Sequence, residues 1–244
     1  MGSMTEPATS FGRVADVYDR ARPAYPAEAV AWLLPAGAVD VLDIGAGTGK
    51  LTAVLAAAGR SVTAIDPDPL MLQTLQRKLP GIPTLVGSGE TIPLPDASAD
   101  AAVFGQSWHW VDPPAASLEV GRVLRPGGTL GLIWNIRDVG VPWVARLGEV
   151  MHGSAAENLL AAGDPMVGAP FGPLEGERFG WVNPTTVDGV VDMVSSRSYV
   201  IGLPAGERET LLARVRELAL EVADERGAVD MPYVTHAYRA VRSA

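Results

Sequence analysis

A glycine-rich turn constrains the fold of this chain more than any other feature. The apolar run that ends at Ile44 is followed by Gly45, Gly47 and Gly49, and a helical pattern begins at Lys50. Glycine lets the backbone turn tightly and lets a ligand approach where a Cβ would otherwise stand. The first N–H groups of the helix are unpaired and carry a partial positive charge. The turn therefore predicts a ligand site between a strand and a helix.

Two acidic residues narrow the choice of ligand. Asp43 lies two residues before the first glycine, and Asp66 ends the next apolar run. Dinucleotide sites usually space their glycines G-x-G-x-x-G, whereas the spacing here is G-x-G-x-G. The charge of Asp43 would repel a pyrophosphate but suits a ligand with a cationic ammonium and sulfonium. An acid in the position of Asp66 can accept hydrogen bonds from ribose hydroxyls.

The order of apolar runs and helical patterns predicts a doubly wound α/β fold. Continuous apolar runs that alternate with helices indicate a mostly parallel sheet covered on both faces. We expect seven strands, the last of which form an antiparallel hairpin at the sheet edge over about 229–241. The other predicted strands lie at 39–44, 61–65, 84–86, 99–105 and 129–134, and the helices at 50–58, 69–79, 115–124 and 207–226.

Two segments flank or interrupt this pattern. Residues 9–37 predict an N-terminal helical cap of two helices, broken at Pro23 and Pro26. Residues 38–244 are expected to form the main domain. Within it, about 136–180 are rich in glycine and proline, with weak periodicity, and predict an irregular insertion or lid.

Composition excludes several classes of protein. A net charge of −9 argues against a nucleic-acid partner, because acidic surfaces repel phosphates. The sequence contains no cysteine, no apolar run long enough to cross a bilayer and no signal-peptide pattern. We therefore expect a cytoplasmic protein, either a monomer or a homodimer, that acts on a small molecule.

Several motifs together resemble a known family. Besides the turn after Val41, the matching stretches are Ala64–Met71, Gly87–Asp96, Gly105–Asp112, Arg122–Gly128 and the opening Phe11–Pro23. On these residues the sequence resembles the class I S-adenosylmethionine-dependent methyltransferases, notably the ubiquinone/menaquinone-type enzymes with a methyltransferase type 11 domain. The resemblance implies S-adenosylmethionine as cofactor and does not name the methyl acceptor.

The resemblance also implies which residues would hold this cofactor. Asp66 would bind the ribose, Pro67 and Met71 would face the adenine, and Gln106 would reach the methionine amino group. The N-terminal cap would close over the cofactor. The full set is Tyr18, Arg22, Asp43, Gly45, Ala46, Gly47, Asp66, Pro67, Met71, Gly89, Glu90 and Gln106.

The acceptor is expected beside the ends of the fourth and fifth strands, since ligands of open α/β sheets bind at the carboxyl ends of strands. His109 is the first candidate for a general base and His152 the second, because imidazole titrates near neutrality. His236 is expected to be structural. Tryptophan faces suit sugars or flat aromatics, and an arginine can orient an anion. The candidate acceptor contacts are Trp108, Trp110, Trp134, Asn135, Arg137 and Trp143.

The sequence thus predicts O-methylation of a hydroxyl, on a sugar, phenol or other small molecule, with a histidine as base. C-methylation and carboxylate methylation stay open as alternatives. Gln106–His109 stand where many N-methyltransferases carry Asn/Asp-Pro-Pro-Tyr, which disfavours N-methylation. An NAD(P)-dependent oxidoreductase and a non-catalytic cofactor-binding protein are the competing classes. We assign no metal site, although the sequence does not exclude a divalent ion.

Overall fold

One mixed sheet organises the molecule. The structure, a computed structural model, describes residues 23–151 and 153–243. The strands in these ranges are β1 (Asp40–Ile44), β2 (Ser61–Asp66), β3 (Thr84–Val86), β4 (Ala99–Gly105), β5 (Leu124–Arg137), β6 (Glu175–Thr186) and β7 (Ala228–Val241). They form a seven-stranded sheet in the order β3-β2-β1-β4-β5-β7-β6.

Helices cover both faces of the sheet. Two of those that follow strands begin with an aspartate N-cap and a proline in the first turn: Asp68 accepts from Leu70 N, and Asp112 accepts from Ala115 N. The described helices are α1 (Ala27–Leu33), α2 (Lys50–Ala57), α3 (Pro69–Lys78), α4 (Pro113–Val123), α5 (Pro142–Val150), α6 (Ala155–Ala161), α7 (Val187–Ser195), α8 (Ser198–Ile201) and α9 (Ala205–Leu220). A 3₁₀ turn at Trp108–Trp110 joins β4 to α4. No helix in the described ranges is long and apolar enough to cross a membrane.

Strands β1 to β5 run parallel, and β7 runs antiparallel to both β5 and β6. One core on the sheet includes Phe104, Leu132 and Trp134. A second core, on the opposite face, includes Leu33 and Ile133. The predicted fold class is therefore confirmed: a doubly wound sheet with antiparallel C-terminal strands.

The position of β7 differs from its prediction as an edge hairpin. β7 lies between β5 and β6, and the edge strand is β6. Both faces of β7 are covered, since Ala237 and Tyr238 are buried on opposite sides. β6 was not predicted because its sequence carries glycine, proline and charged residues. An edge strand tolerates these residues because it needs pairing on one side only.

The segment at about 136–180 is more regular than its composition predicts. It contains α5, α6 and the start of β6. α5 begins with a proline at its first position, and α6 begins with a capping box in which Ser154 and Glu157 bond each other's backbone N–H. The last predicted helix is shorter than expected, ending at Leu220. Of the predicted N-terminal cap, the structure describes residues 23–37, which contain one helix, α1.

Candidate functional site

The glycine turn after β1 leaves open space at one position. All three of its glycines have positive φ, at 70°, 55° and 88° for Gly45, Gly47 and Gly49. A Cβ on Gly45 would lie 2.5 Å from the Cβ of Ser107, and one on Gly49 would lie 2.8 Å from Cγ of Leu75. At Gly47, apart from the glycine itself and its two chain neighbours, no atom of the described residues lies within 4 Å of the position of a Cβ. Two glycines thus allow close packing, and the middle one faces room for a ligand.

Asp43 lies buried beneath this turn. Its Oδ2 accepts a hydrogen bond of 2.5 Å from the Thr52 hydroxyl. Its Oδ1 has no hydrogen-bond partner among the described residues. Burial raises the pKa of Asp43 from 3.8 to about 7, with a further increase from the charge of Asp66 and an opposing effect of the Thr52 hydrogen bond. A cation above this carboxylate would favour its ionised form.

Asp66 connects the end of β2 to the glycine turn. Its Oδ2 accepts from Gly47 N at 2.8 Å and its Oδ1 accepts from Asp68 N at 2.9 Å. Burial raises the pKa of Asp66 despite these two N–H donors. Each carboxylate oxygen can accept a second hydrogen bond, so the side chain keeps capacity for a ribose hydroxyl pair.

The remaining predicted cofactor residues have structural contacts of their own. A Cβ on Gly89 would lie 2.9 Å from Val111, and Glu90 Oε1 accepts from Asp112 N at 2.8 Å. Met71 is buried in α3, Ala46 is buried in the turn and Pro67 is half-buried. Tyr18 and Arg22 lie outside the described residues.

The loop after β4 is held between β1 and β5. Gln106 has a φ of 58°, and its Nε2 donates to the backbone oxygen of Asn135 at 3.0 Å. The Ser107 hydroxyl donates to the backbone oxygen of Ile44 at 2.8 Å. Sequence reasoning missed Ser107, whose importance shows only in its close approach to Gly45.

The 3₁₀ turn presents one of its two tryptophans to solvent. Trp108 is 1% exposed, packs edge-on against Phe104 and donates from Nε1 to the backbone oxygen of Met166 at 3.0 Å. Trp110 is 45% exposed, and its ring lies 4.8 Å from that of His109. Trp108 is therefore a core residue rather than a platform, whereas Trp110 is accessible to an acceptor.

His109 is oriented by a buried tryptophan. Trp134, which is 0% exposed, donates from Nε1 to Nδ1 of His109 at 3.3 Å. An indole N–H only donates, so Nδ1 must be the unprotonated nitrogen of the neutral ring. By this assignment from the hydrogen-bond network, the proton of the neutral ring sits on Nε2.

The other candidate acceptor contacts are occupied. Arg137 is buried and forms a 2.7 Å ion pair with Glu157 of α6. Burial opposes ionisation of Glu157, but the Arg137 charge and the Ser154 N–H prevail and lower its pKa. Asn135 bonds Thr235 and the backbone of Ala24. Arg137 and Asn135 are thus engaged within the protein instead of facing an open acceptor space.

The remaining candidates from the sequence are Trp143 and the two histidines His152 and His236. Trp143 is 8% exposed and packs in the apolar cluster of α5, α7, α9 and β7. Burial, and secondarily Arg178, lowers the pKa of His236, which lies on β7. His152 lies outside the described residues. Among residues 23–151 and 153–243 no group of three or more histidines, cysteines or acids could hold a metal ion.

Known proteins are similar to this chain in sequence and in fold. A family model described as a methyltransferase domain matches residues 42–132. An uncharacterized methyltransferase of Mycobacterium tuberculosis is 45% identical over 98% of both chains. One of Schizosaccharomyces pombe is 34% identical over 91% of this chain and 92% of its own. A solved structure of a putative type II methyltransferase from Anaeromyxobacter dehalogenans is 26% identical, with a TM-score of 0.69 over 91% of this chain and 97% of its own.

Two relatives with named reactions match over shorter stretches. A malonyl-[acyl-carrier protein] O-methyltransferase of Serratia marcescens is 36% identical over 50% of each chain. A ubiquinone/menaquinone biosynthesis C-methyltransferase of Rubrivivax gelatinosus is 39% identical over 38% of each chain. The acceptor atoms in the two names differ.

Proposed function

This chain belongs to the class I S-adenosylmethionine-dependent methyltransferases, and we propose that it methylates an oxygen atom of a small acceptor that His109 orients. The family and the enzyme class predicted from the sequence are confirmed. The observation that supports the finer assignment is the hydrogen bond from Trp134 to His109.

The cofactor fits at the carboxyl ends of the parallel strands, beside the turn after β1 and the ends of β2 and β4. The open space at Gly47 lies beside the N-terminus of α2, which suits the cofactor's carboxylate. The buried carboxylate of Asp43 supplies a negative charge that suits a cation, and Asp66 supplies acceptors for the ribose. When bound, S-adenosylmethionine provides a methyl group activated by its sulfonium. Tyr18 and Arg22 remain our assignments for closing over it.

Gly47→Ala tests this placement. The added methyl group would occupy the open space, so we expect S-adenosylhomocysteine affinity to fall by at least about tenfold, or 1.4 kcal/mol. The variant also places a side chain at a φ of 55°, which costs roughly 1–2 kcal/mol of stability. Calorimetric titration and thermal melting measure the two effects.

Gly59→Ala is the matched control. Gly59 also has a positive φ, 76°, and a Cβ there has no described atom within 4 Å other than its chain neighbours. It lies after the C-terminus of α2, at the amino ends of the strands and away from the glycine turn. We expect the same loss of stability and unchanged ligand affinity. If Gly47→Ala binds as tightly as Gly59→Ala, the cofactor lies elsewhere.

The tautomer of His109 determines what this side chain offers an acceptor. With Nδ1 accepting from Trp134, the neutral ring presents an N–H at Nε2. Proton abstraction by the ring would require Nδ1 to leave its bond with Trp134. We therefore assign His109 as a hydrogen-bond donor that orients the acceptor, in place of the general base expected from the sequence.

A donor at this position favours oxygen as the methylated atom. An oxygen has more than one lone pair, so it can accept from Nε2 and still attack the methyl carbon. An amine nitrogen has a single lone pair, which a hydrogen bond would block. A carboxylate fits best, because it needs no proton removed. A hydroxyl would need another base, for which His152 is our remaining candidate.

The names of the two relatives support oxygen and carbon, respectively, as the methylated atom. The name of the Serratia marcescens relative specifies an O-methyltransferase, in agreement with the oxygen acceptor. The name of the Rubrivivax gelatinosus relative specifies a C-methyltransferase, so carbon methylation is the second candidate. A hydrogen bond from His109 to an enolate oxygen would orient such an acceptor in the same way. The exposed face of Trp110 suits a flat or apolar acceptor body in either case.

An acceptor screen decides between these candidates. Turnover of S-adenosylmethionine would be measured against matched sets of carboxylic acids, phenols, sugars, amines and enolisable ketones, and products would be mapped by NMR. We expect methyl esters to form fastest. Products methylated only at nitrogen would contradict the proposal, and products methylated only at carbon would favour the second candidate.

A further inference from the structure

A line of buried and partly buried hydrogen bonds runs from the edge strand β6 across β7 and β5 to the N-terminal side of α1. Trp181 on β6 donates from Nε1 to the Thr235 hydroxyl at 2.8 Å, and that hydroxyl donates to Oδ1 of Asn135 at 2.7 Å. Asn135 then donates from Nδ2 to the backbone oxygen of Ala24 at 3.0 Å. Thr235 is 0% exposed and Asn135 is 7% exposed.

Chemistry fixes the direction of this line. The indole N–H of Trp181 only donates, so the Thr235 oxygen accepts from it and gives its own proton to Asn135. Oδ1 of Asn135 must therefore face Thr235, and its NH₂ group must face Ala24. The Thr235 hydroxyl thus sets the orientation of the Asn135 amide.

Asn135 joins two segments at the carboxyl edge of the sheet. Its backbone oxygen accepts from the side chain of Gln106, in the loop that packs against the glycine turn. Its side chain holds Ala24, where the chain enters α1. The neighbouring Tyr25 hydroxyl lies 2.9 Å from the position of a Cβ on Gly105, so this entry segment crosses the end of β4.

We propose that Thr235 and Asn135 are positioning residues for the cofactor. They hold the loop after β4 and the N-terminal entry segment in the arrangement that binds it. Thr235 acts through the side-chain amide of Asn135 on Ala24, while the backbone oxygen of Asn135 holds Gln106. Asn135 was expected from the sequence to contact the acceptor, and this role replaces that one. The inference rests on the cofactor alone and is independent of the acceptor.

Thr235→Val removes the hydroxyl and keeps the side-chain shape. We expect S-adenosylhomocysteine to bind about tenfold more weakly, as measured by calorimetry, because the Asn135 amide loses its orienting donor. Thr235→Ser keeps the hydroxyl and removes a methyl group, so its affinity should stay within about twofold of the native value. Thermal melting of each variant gives the loss of stability separately.

Thr129→Val is the matched control. Thr129 is 3% exposed in the amino-terminal half of β5, where it pairs with Val241 on β7. It should bind S-adenosylhomocysteine with native affinity. The proposal is overturned if Thr235→Val binds no more weakly than Thr129→Val, or if Thr235→Ser binds as weakly as Thr235→Val.

Trp181→Phe keeps the test decisive if Thr235→Val does not fold. Trp181 is half-buried, and phenylalanine preserves its stacking on Tyr233 while removing the donor to Thr235. We expect weakened S-adenosylhomocysteine binding, and native affinity in this variant would also overturn the proposal. Asn135→Leu should match Thr235→Val, and the double variant should lose less than the sum of both, since the two residues act through one amide.

Discussion

Replacing Asp43 by asparagine is expected to stabilise the cofactor-free protein at alkaline pH and to weaken its cofactor binding. Burial raises the pKa of Asp43 from 3.8 to about 7. The folded protein therefore binds this proton more tightly than the unfolded chain. Stability is lost as pH rises from about 4 to 7, and the full cost is present above 7. The asparagine side chain carries no charge and avoids that cost.

We expect Asp43→Asn to gain about 2 kcal/mol at pH 9, or roughly 4–8 °C in melting temperature, and nothing at pH 4. The gain is below the full cost of the charge because the amide NH₂ would stand where Oδ1 already has no partner in the described residues. Melting curves from pH 4 to 9 measure it. Equal pH dependence in both proteins would contradict a raised pKa.

The same substitution should weaken S-adenosylhomocysteine binding by about 10–100-fold at pH 8, because the ammonium group of the ligand loses a buried opposite charge in surroundings of low dielectric. A cationic ligand lowers the pKa of Asp43 in the complex. Native affinity should therefore fall as pH drops below 7, whereas affinity in Asp43→Asn should lack this dependence. Titrations at pH 6 and 8 test both statements.

Thr52→Val is a control that should change the stability at alkaline pH in the opposite direction to Asp43→Asn. Its hydroxyl lowers the pKa of Asp43, so Thr52→Val should raise that pKa further and cost more stability at pH 9 than at pH 4. Thr52→Ser keeps the hydroxyl and should retain the native pH dependence. Together these results would show that the charge of Asp43 destabilises the free protein and increases its affinity for a cation.

The sequence predicts those parts of the fold that depend on the residue pattern within a single segment. β1 to β4 are continuous apolar runs between turn signals, and the predicted bounds agree with the structure to within one residue. β6 was missed because an edge strand carries few of these signals. The place of β7 between β5 and β6 depends on long-range pairing, which no local pattern in residues 228–241 encodes.

The same distinction applies to the site. The glycine turn, Asp43 and Asp66 were predicted from their spacing around strand ends, and the structure brings them together. Which side chains can contact a methyl acceptor depends on which of them already form hydrogen bonds within the protein. Arg137 bonds Glu157, and Asn135 bonds Ala24 and Thr235, which lies 100 residues away. Residue type alone could not indicate that these polar groups are engaged.

His109→Ala is expected to lower turnover by about 10²-fold with nearly native cofactor affinity, because an unoriented acceptor reacts slowly. His109→Gln can still donate a hydrogen bond but cannot serve as a base of comparable strength. We expect it to recover activity to within about tenfold of native. Initial rates with the acceptor found in the screen, together with S-adenosylhomocysteine titration, measure both effects. If glutamine is as inactive as alanine, His109 is a base and our assignment is wrong.

Trp134→Phe tests the hydrogen bond that underlies this assignment. Without the indole N–H, Nδ1 of His109 loses its donor and the ring loses its fixed tautomer, so turnover should fall by about tenfold. Trp108→Phe is the matched control, since Trp108 is as deeply buried and its N–H bonds Met166 instead. Both variants should lose similar stability, but only Trp134→Phe should lose turnover. Equal turnover in the two would show that His109 is not oriented by Trp134, because packing would then be the only role that either tryptophan plays.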